Sequence, residues 1–114
     1  MKNKKYFRGE VYSVDFGIGK GSVQGGLRPA VIVQNNIGNI HSPTVLVAPL
    51  TSKNKRELPT HVKFSGTERS SCSGTIMLEQ IFTVNKFELL KCLGDCSEEC
   101  LEKVDEALKI SFHL

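Results

Sequence analysis

The sequence predicts one small domain, mainly β with α: a strongly curved antiparallel β-barrel with a single amphipathic helix at its C-terminus. Three observations lead there. At least five short runs rich in Val, Ile, Thr, Tyr and Phe are separated by Gly, Pro, Asn and Ser clusters. Only the last stretch of the chain combines helical spacing of its apolar residues with a start signal. The length, 114 residues, is enough for one hydrophobic core, so residues 1–114 form one domain.

The elements follow in order. "GEVYSVDF" (Gly9–Phe16) alternates, with Tyr12, Val14 and Phe16 on one face and Val11, Ser13 and Asp15 on the other. "GIGKGSVQGGL" then has five glycines in eleven residues and reads as a mobile, exposed loop. It is not a phosphate-binding P-loop, since no Gly-Lys-Ser or Gly-Lys-Thr is present, and Ser22 breaks the dinucleotide fingerprint. Pro29 opens a second strand, "AVIVQNN", which ends in a turn around Gly38–Asn39. "SPTVLVAPLTS" is a third strand that finishes in hydroxyls, followed by the basic loop "KNKRELP" and the short strand "THVKF". A polar loop over 65–74 leads into the strand "TIMLEQIFTV", then a turn or short helix near Asn85–Leu90, then "KCLGD". Ser97 is an N-cap, with Glu98 and Glu99 in the first turn, where carboxylates meet the positive end of the helix dipole. Cys96 and Leu101 hold the two positions of a hydrophobic staple, and Leu101, Val104, Ala107, Leu108 and Phe112 form an apolar stripe.

Composition limits the function classes. With 39% apolar and 24% charged residues, the chain is an ordinary soluble domain, and its net charge of +3 permits a nucleic-acid partner without requiring one. No apolar run approaches the ~20 residues of a membrane span. No hydrophobic stretch follows the basic N-terminus, so the expected location is cytoplasmic, without membrane contact. Cytosolic thiols stay reduced. Cys92, Cys96 and Cys100 are four apart, which is not a zinc spacing, and no metal or cofactor is expected. His41, His61 and His113 are scattered, and nothing in their spacing forms a pair.

Arg28 stands out. It is a permanent cation between a glycine-rich loop and a strand that should enter the core. Its planar fork of donors suits phosphate, although pairing with a loop carboxylate would serve as well. Around it in the sequence are groups able to contact RNA. Gln24, Asn35 and Asn36 are uncharged donor–acceptors, Thr51 and Ser52 end a strand, and Glu79–Gln80 interrupts an apolar one. Lys20, Lys53, Lys55, Arg56 and Arg69 lie in loops that could form a rim along phosphates.

"RGEVYSVDF", "GSVQGGLRPAVIVQN", "SPTVLVAPLT", "LPTHV" and "MLEQIFTV", in that order, resemble the MazF/PemK-type toxins of bacterial toxin–antitoxin modules over nearly the whole chain. The resemblance implies an SH3-like barrel, a homodimer, and metal-independent, sequence-specific endoribonuclease action on single-stranded RNA, so that translation and growth are inhibited. It also implies a cognate antitoxin as partner. Arg28 and Thr51 fall on the family's catalytic arginine and threonine. Its RNA-binding positions fall on Ser22, Gln24, Asn35, Glu79 and Gln80, with Ser52, Lys53 and Arg56 beside them. Many members carry an acidic residue where this chain has Val23, so a mechanism that needs a carboxylate there cannot operate here. The proton acceptor stays open among Glu79, His41 and solvent. Two other functions use this fold or chemistry: a toxin that poisons gyrase by binding protein, and an RNA-binding barrel without catalysis.

Overall fold

The computed structural model describes residues 4–53 and 57–114. Among these residues seven strands make one antiparallel sheet: β1 (Glu10–Asp15), β2 (Leu27–Ile32), β3 (Thr44–Thr51), β4 (His61–Lys63), β5 (Thr75–Met77), β6 (Phe82–Asn85) and β7 (Cys92–Asp95). Two helices accompany them, α1 (Asn36–His41) and α2 (Glu98–Phe112), and a 3-10 turn at Lys86–Glu88. The strand order is β4-β5-β3-β2-β1-β7, and β6 also pairs with β3.

The sheet is buried on both faces at its centre. Val11, Val31, Ala48, Leu50, Val62 and Ile76 pack with Val104 and Ala107 of α2 on one side. Tyr12, Val14, Ala30, Ile32, Val45 and Val47 form a second cluster on the other, with Val84, Leu89 and partly buried Tyr6, Phe16 and Phe82. This explains why β2 and β3 read as continuous apolar runs rather than alternating ones. The expected small antiparallel barrel is present as a tightly curled sheet, and a non-strand segment brings its two edges together. Gly66 bridges to Cys96, Thr67 N–H donates to Asp95 O at 3.1 Å and Ser71 N–H to Leu93 O at 2.8 Å.

Asp95 anchors that seam. Its carboxylate accepts from Thr67 Oγ1 and, at 2.5 Å, from Arg69 Nη2. The Thr67 hydrogen bond, against a smaller effect of burial and with help from Arg69, holds the carboxyl below its ordinary value. A carboxyl depressed by folding stabilises the fold above its unfolded pKa of ~4, and that contribution is lost as pH falls through the lower folded value. Asp95→Ala should therefore lose about 1–2 kcal/mol at pH 7. The gap to wild type should shrink at pH 3, as read by thermal unfolding at both pH values. A gap independent of pH would mean that the carboxylate's charge has no part in the seam.

Several expectations are revised. The run "TIMLEQIFTV" is not one strand. It breaks at Leu78–Ile81, where Gln80 N–H bonds back to Met77 O at 3.1 Å, so β5 pairs with the end of β3 and β6 with its start. The turn at Gly38–Asn39 is part of α1, which Asn35 caps by accepting from Gly38 N–H at 2.8 Å. The second strand begins at Leu27, two residues before Pro29. Ser97 caps α2 as expected, accepting from Cys100 N–H at 3.1 Å. The buried face of α2, however, is Cys100, Val104 and Ala107, and Phe112 is 57% exposed.

Candidate active site

The β2–β3 ladder stops at Ala30↔Pro49. Pro29 and Pro49 offer no N–H to it, and no pair of β2 with β3 is present beyond them. Carried two residues further, the register sets Arg28 across from Thr51 at this mouth. Alternation puts them on the same face: Arg28 follows Ala30 and Ile32, and Thr51 follows Pro49 and Val47. On the other side of β3, Thr51 pairs with Thr75, and Thr75 with Lys63 of β4. Lys63, Thr75 and Thr51 thus form one row across β4, β5 and β3, at strand spacings of roughly 4.8 Å, and Arg28 faces its end beyond the last paired residues of β2 and β3. Lys63 was not singled out from sequence. The alternation in "THVKF" shows that it faces away from Val62, but only the register reveals which residues share its row.

Arg28 is half-buried, paired with Val14 in β1, and its Nε donates to Gly25 O at 2.8 Å. Among the described residues no carboxylate lies within ion-pair distance of it. Among those residues neither Nη group has a hydrogen-bond partner, so both can meet a ligand, and the alternative of a loop carboxylate partner has no support there. Thr51 is 1% exposed, and its Oγ1 accepts from Lys53 N–H at 3.2 Å. That contact occupies a lone pair and leaves the hydroxyl hydrogen available to donate. Ser52 and Lys53 are exposed directly beyond it. Arg56, with Lys55, lies outside the described residues.

The glycine-rich segment is exposed along most of its length, as expected, and its backbone folds closely on itself. Gly26 N–H donates to Gly17 O at 2.6 Å and Phe16 N–H to Gly26 O at 2.9 Å. A Cβ placed on Gly25 would come within 2.1 Å of Gly19 N. These glycines serve close backbone approach. Gln24 is buried, with its Nε2 3.8 Å from Met77 Sδ. Gln80 fastens the segment to the β5–β6 corner: its Oε1 accepts from Gln24 N–H at 2.9 Å and its Nε2 donates to Ser22 O at 2.9 Å. Ser22 itself is exposed.

The structure thus brings Arg28, Thr51, Ser52, Lys53, Ser22, Gln24 and Gln80 to one end of the sheet, and sends the other candidates elsewhere. Asn35 and Asn36 lie past the opposite end of β2, about 20 Å from Arg28 by strand rise. Both are engaged in structure, Asn35 as the α1 cap and Asn36 Oδ1 as acceptor from Arg8 N–H at 2.7 Å. His41 ends α1 on that side. Glu79 turns away from Gln80 toward β4, accepting from Thr60 Oγ1 at 3.0 Å and lying 2.9 Å from His61 Nε2. Burial pushes its carboxyl up, but the hydrogen bonds from His61, its own backbone and Thr60 prevail and hold it below the ordinary value, which makes it a weak proton acceptor. Arg69 is committed to Asp95.

The four cysteines are unpaired: Cys96 and Cys100 are buried, Cys72 is half-buried and Cys92 exposed. Among the described residues no three His, Cys, Asp or Glu side chains converge on a metal-sized site, and no helix is long and apolar enough to cross a membrane.

Residues 7–112 match the model of the "PemK-like, MazF-like toxin of type II toxin-antitoxin system" family. Endoribonuclease EndoA of Bacillus subtilis (strain 168) is 46% identical over 112 residues, covering 94% of each chain. Among solved structures, a mycobacterial endoribonuclease in complex with its cognate antitoxin superposes with a TM-score of 0.82 at 30% identity, covering 96% of each chain. MazF from Deinococcus radiodurans shares the fold, with a TM-score of 0.81 at 18% identity over 98% of this chain and all of that one. A match along almost the whole sequence, with the same curled sheet and terminal helix, places this chain in the PemK-like, MazF-like toxins of type II toxin–antitoxin systems.

Proposed function

We propose that this toxin endoribonuclease cuts single-stranded RNA at the mouth between β2 and β3, without a metal ion. The observation that carries the reading is the placement of Arg28 and Thr51 on one face where the ladder opens, with the arginine's Nη groups uncommitted among the described residues. In such a reaction the 2′-hydroxyl attacks the adjacent phosphorus and the 5′-oxygen leaves, giving a 2′,3′-cyclic phosphate and a 5′-hydroxyl. Negative charge grows on the non-bridging oxygens. Arg28 stabilises that charge through its fork, and Thr51 donates to the same phosphate or to the departing oxygen. Glu79 is ill-suited to take the proton, given its partners and its lowered pKa. Incubation with a long RNA in EDTA, followed by mapping of the ends, tests the reading. Uncut RNA, or 5′-phosphate ends, would refute it.

Lys53 and the cations that follow it in the sequence hold the strand. Each phosphate contact adds about −0.7 to the slope of log K against log salt for single strands. Replacing Lys53, Lys55 and Arg56 together by alanine should flatten that slope. An unchanged slope would place those side chains away from the RNA.

The toxin acts as a homodimer, with a cognate antitoxin covering the mouth. The apolar run at 76–78 is already buried within the monomer, so it offers no surface to a second copy. Ile37 and Ile40 of α1, 74% and 68% exposed, do. Sedimentation should show a dimer at micromolar concentration, and Ile37→Lys with Ile40→Lys should weaken it. A stable monomer before mutation would contradict this assembly.

A further inference from the structure

Hydrogen bonds, joined by two steps along the backbone, link β4 to the arginine. Thr60 Oγ1 and His61 Nε2 hold Glu79, at 3.0 and 2.9 Å. The next residue, Gln80, binds the glycine-rich segment at two points, through Gln24 N–H and Ser22 O, both at 2.9 Å. The carbonyl of the residue after Gln24, Gly25, orients the Arg28 Nε at 2.8 Å. A primary amide suits this work because it accepts with one atom and donates with the other. The His61 side chain is 7% exposed, so the anchor rests on a buried imidazole, while Glu79 stays open to solvent on its other side at 31%. The adjacent residues Glu79 and Gln80 therefore face opposite ways, one gripping the sheet and the other gripping the loop.

We propose that Gln80 is a positioning residue for cleavage: anchored on β4 through the Thr60–Glu79–His61 cluster, it fixes the Ser22–Gly25 segment and thereby the orientation of the Arg28 guanidinium. This rests on the reading that Arg28 acts at the scissile phosphate. The alternative role for Gln80, direct contact with an RNA base, has the second lone pair of Oε1 and the second hydrogen of Nε2 to use, and the measurements below separate the two roles.

Three measurements decide it. The first follows the Arg28 Nε–H resonance in a ¹⁵N spectrum of free protein, assigned by its absence in Arg28→Lys. Gln80→Leu removes both loop bonds, and the resonance should shift or broaden. The second separates binding from chemistry. Affinity for an RNA carrying 2′-deoxyribose at the scissile nucleotide should change less than about twofold, while single-turnover cleavage of saturating RNA should fall roughly 10- to 10²-fold, the scale of a small misplacement of a reacting group. Gln80→Glu keeps the acceptor and loses the donor, so it should recover part of the rate. The third is a cycle in which Gln80→Leu costs little further in an Arg28→Ala background, because it acts through the arginine. Circular dichroism of each variant should match wild type, since Gln80 lies at a partly exposed corner. An unmoved Arg28 resonance overturns the proposal whatever the rate does. So does a loss confined to RNA affinity, which is the signature of a base contact. Failure of the underlying reading would appear elsewhere, as near-normal cleavage by Arg28→Ala alone.

Discussion

Arg28→Ala should fold as wild type and cleave at least ~10²-fold more slowly, the loss seen when one donor to a developing oxyanion is removed. The fold should tolerate the change because the guanidinium is half-buried at the end of β2 and makes one hydrogen bond to Gly25 O among the described residues. The clusters that stabilise the sheet begin with its neighbours Val14 and Ala30. Arg28→Lys should recover only part of the rate, since a point charge cannot reproduce a planar fork. Thr51→Ala should also be impaired. It removes a hydroxyl that receives Lys53 N–H, so a small stability loss of about 1 kcal/mol should accompany the kinetic one. The double variant should lose less than the product of the two single losses, because both groups act on one phosphate. Single-turnover cleavage of saturating RNA, with circular dichroism of each protein, checks these outcomes. A folded Arg28→Ala protein that cuts at near-normal rate would remove the arginine from the reaction.

The features legible in the sequence were those set by neighbours along the chain. The Ser97 cap is a hydrogen bond spanning three residues, so its pattern appears directly in "SEEC". The capped turn at Asn85–Glu88 is equally local. Arg28 could be picked out because a charge between a glycine loop and an apolar strand is locally odd. What escaped depends on partners far away in sequence. The break in "TIMLEQIFTV" is dictated by β3, which pairs with β5 at one end and β6 at the other, and an apolar run looks the same whether it is straight or turns a corner. Glu79 and Gln80 are adjacent letters with opposite duties, and only contacts 18 and 56 residues away separate them. Asn35 reads as a base-contacting amide, yet its acceptor is taken by a helix too short to give a periodic signal. Phe112 fits the helical stripe, yet it is 57% exposed, because the packing of α2 on the sheet centres on Cys100, Val104 and Ala107.

The glycine-rich segment gives the second large effect, because glycines there meet two different demands. Gly25→Ala should strongly impair cleavage while the barrel stays folded. Gly25 does not occupy the left-handed region, so alanine suits its own backbone. The space is what is missing. An added Cβ would lie 2.1 Å from Gly19 N, 2.6 Å from Gly19 Cα and 2.8 Å from Gly17 O. All three are main-chain atoms, and none can rotate aside, so the segment itself must move. The Gly25 carbonyl that holds Arg28 Nε then moves with it, and a shift of about 1 Å at a reacting group can lower a rate ~10²-fold. Gly21 is the control. It sits at φ +56° with nothing within 4 Å of a Cβ, so Gly21→Ala should lose about 1–2 kcal/mol to left-handed strain without displacing a neighbour. Thermal unfolding and single-turnover cleavage should therefore rank the two variants differently: Gly21→Ala retains most of its cleavage rate, and Gly25→Ala loses nearly all of it. Equal cleavage by Gly25→Ala and wild type would mean that the segment can yield without disturbing the arginine, and that the close packing of Gly19 against Gly25 has no part in setting the site.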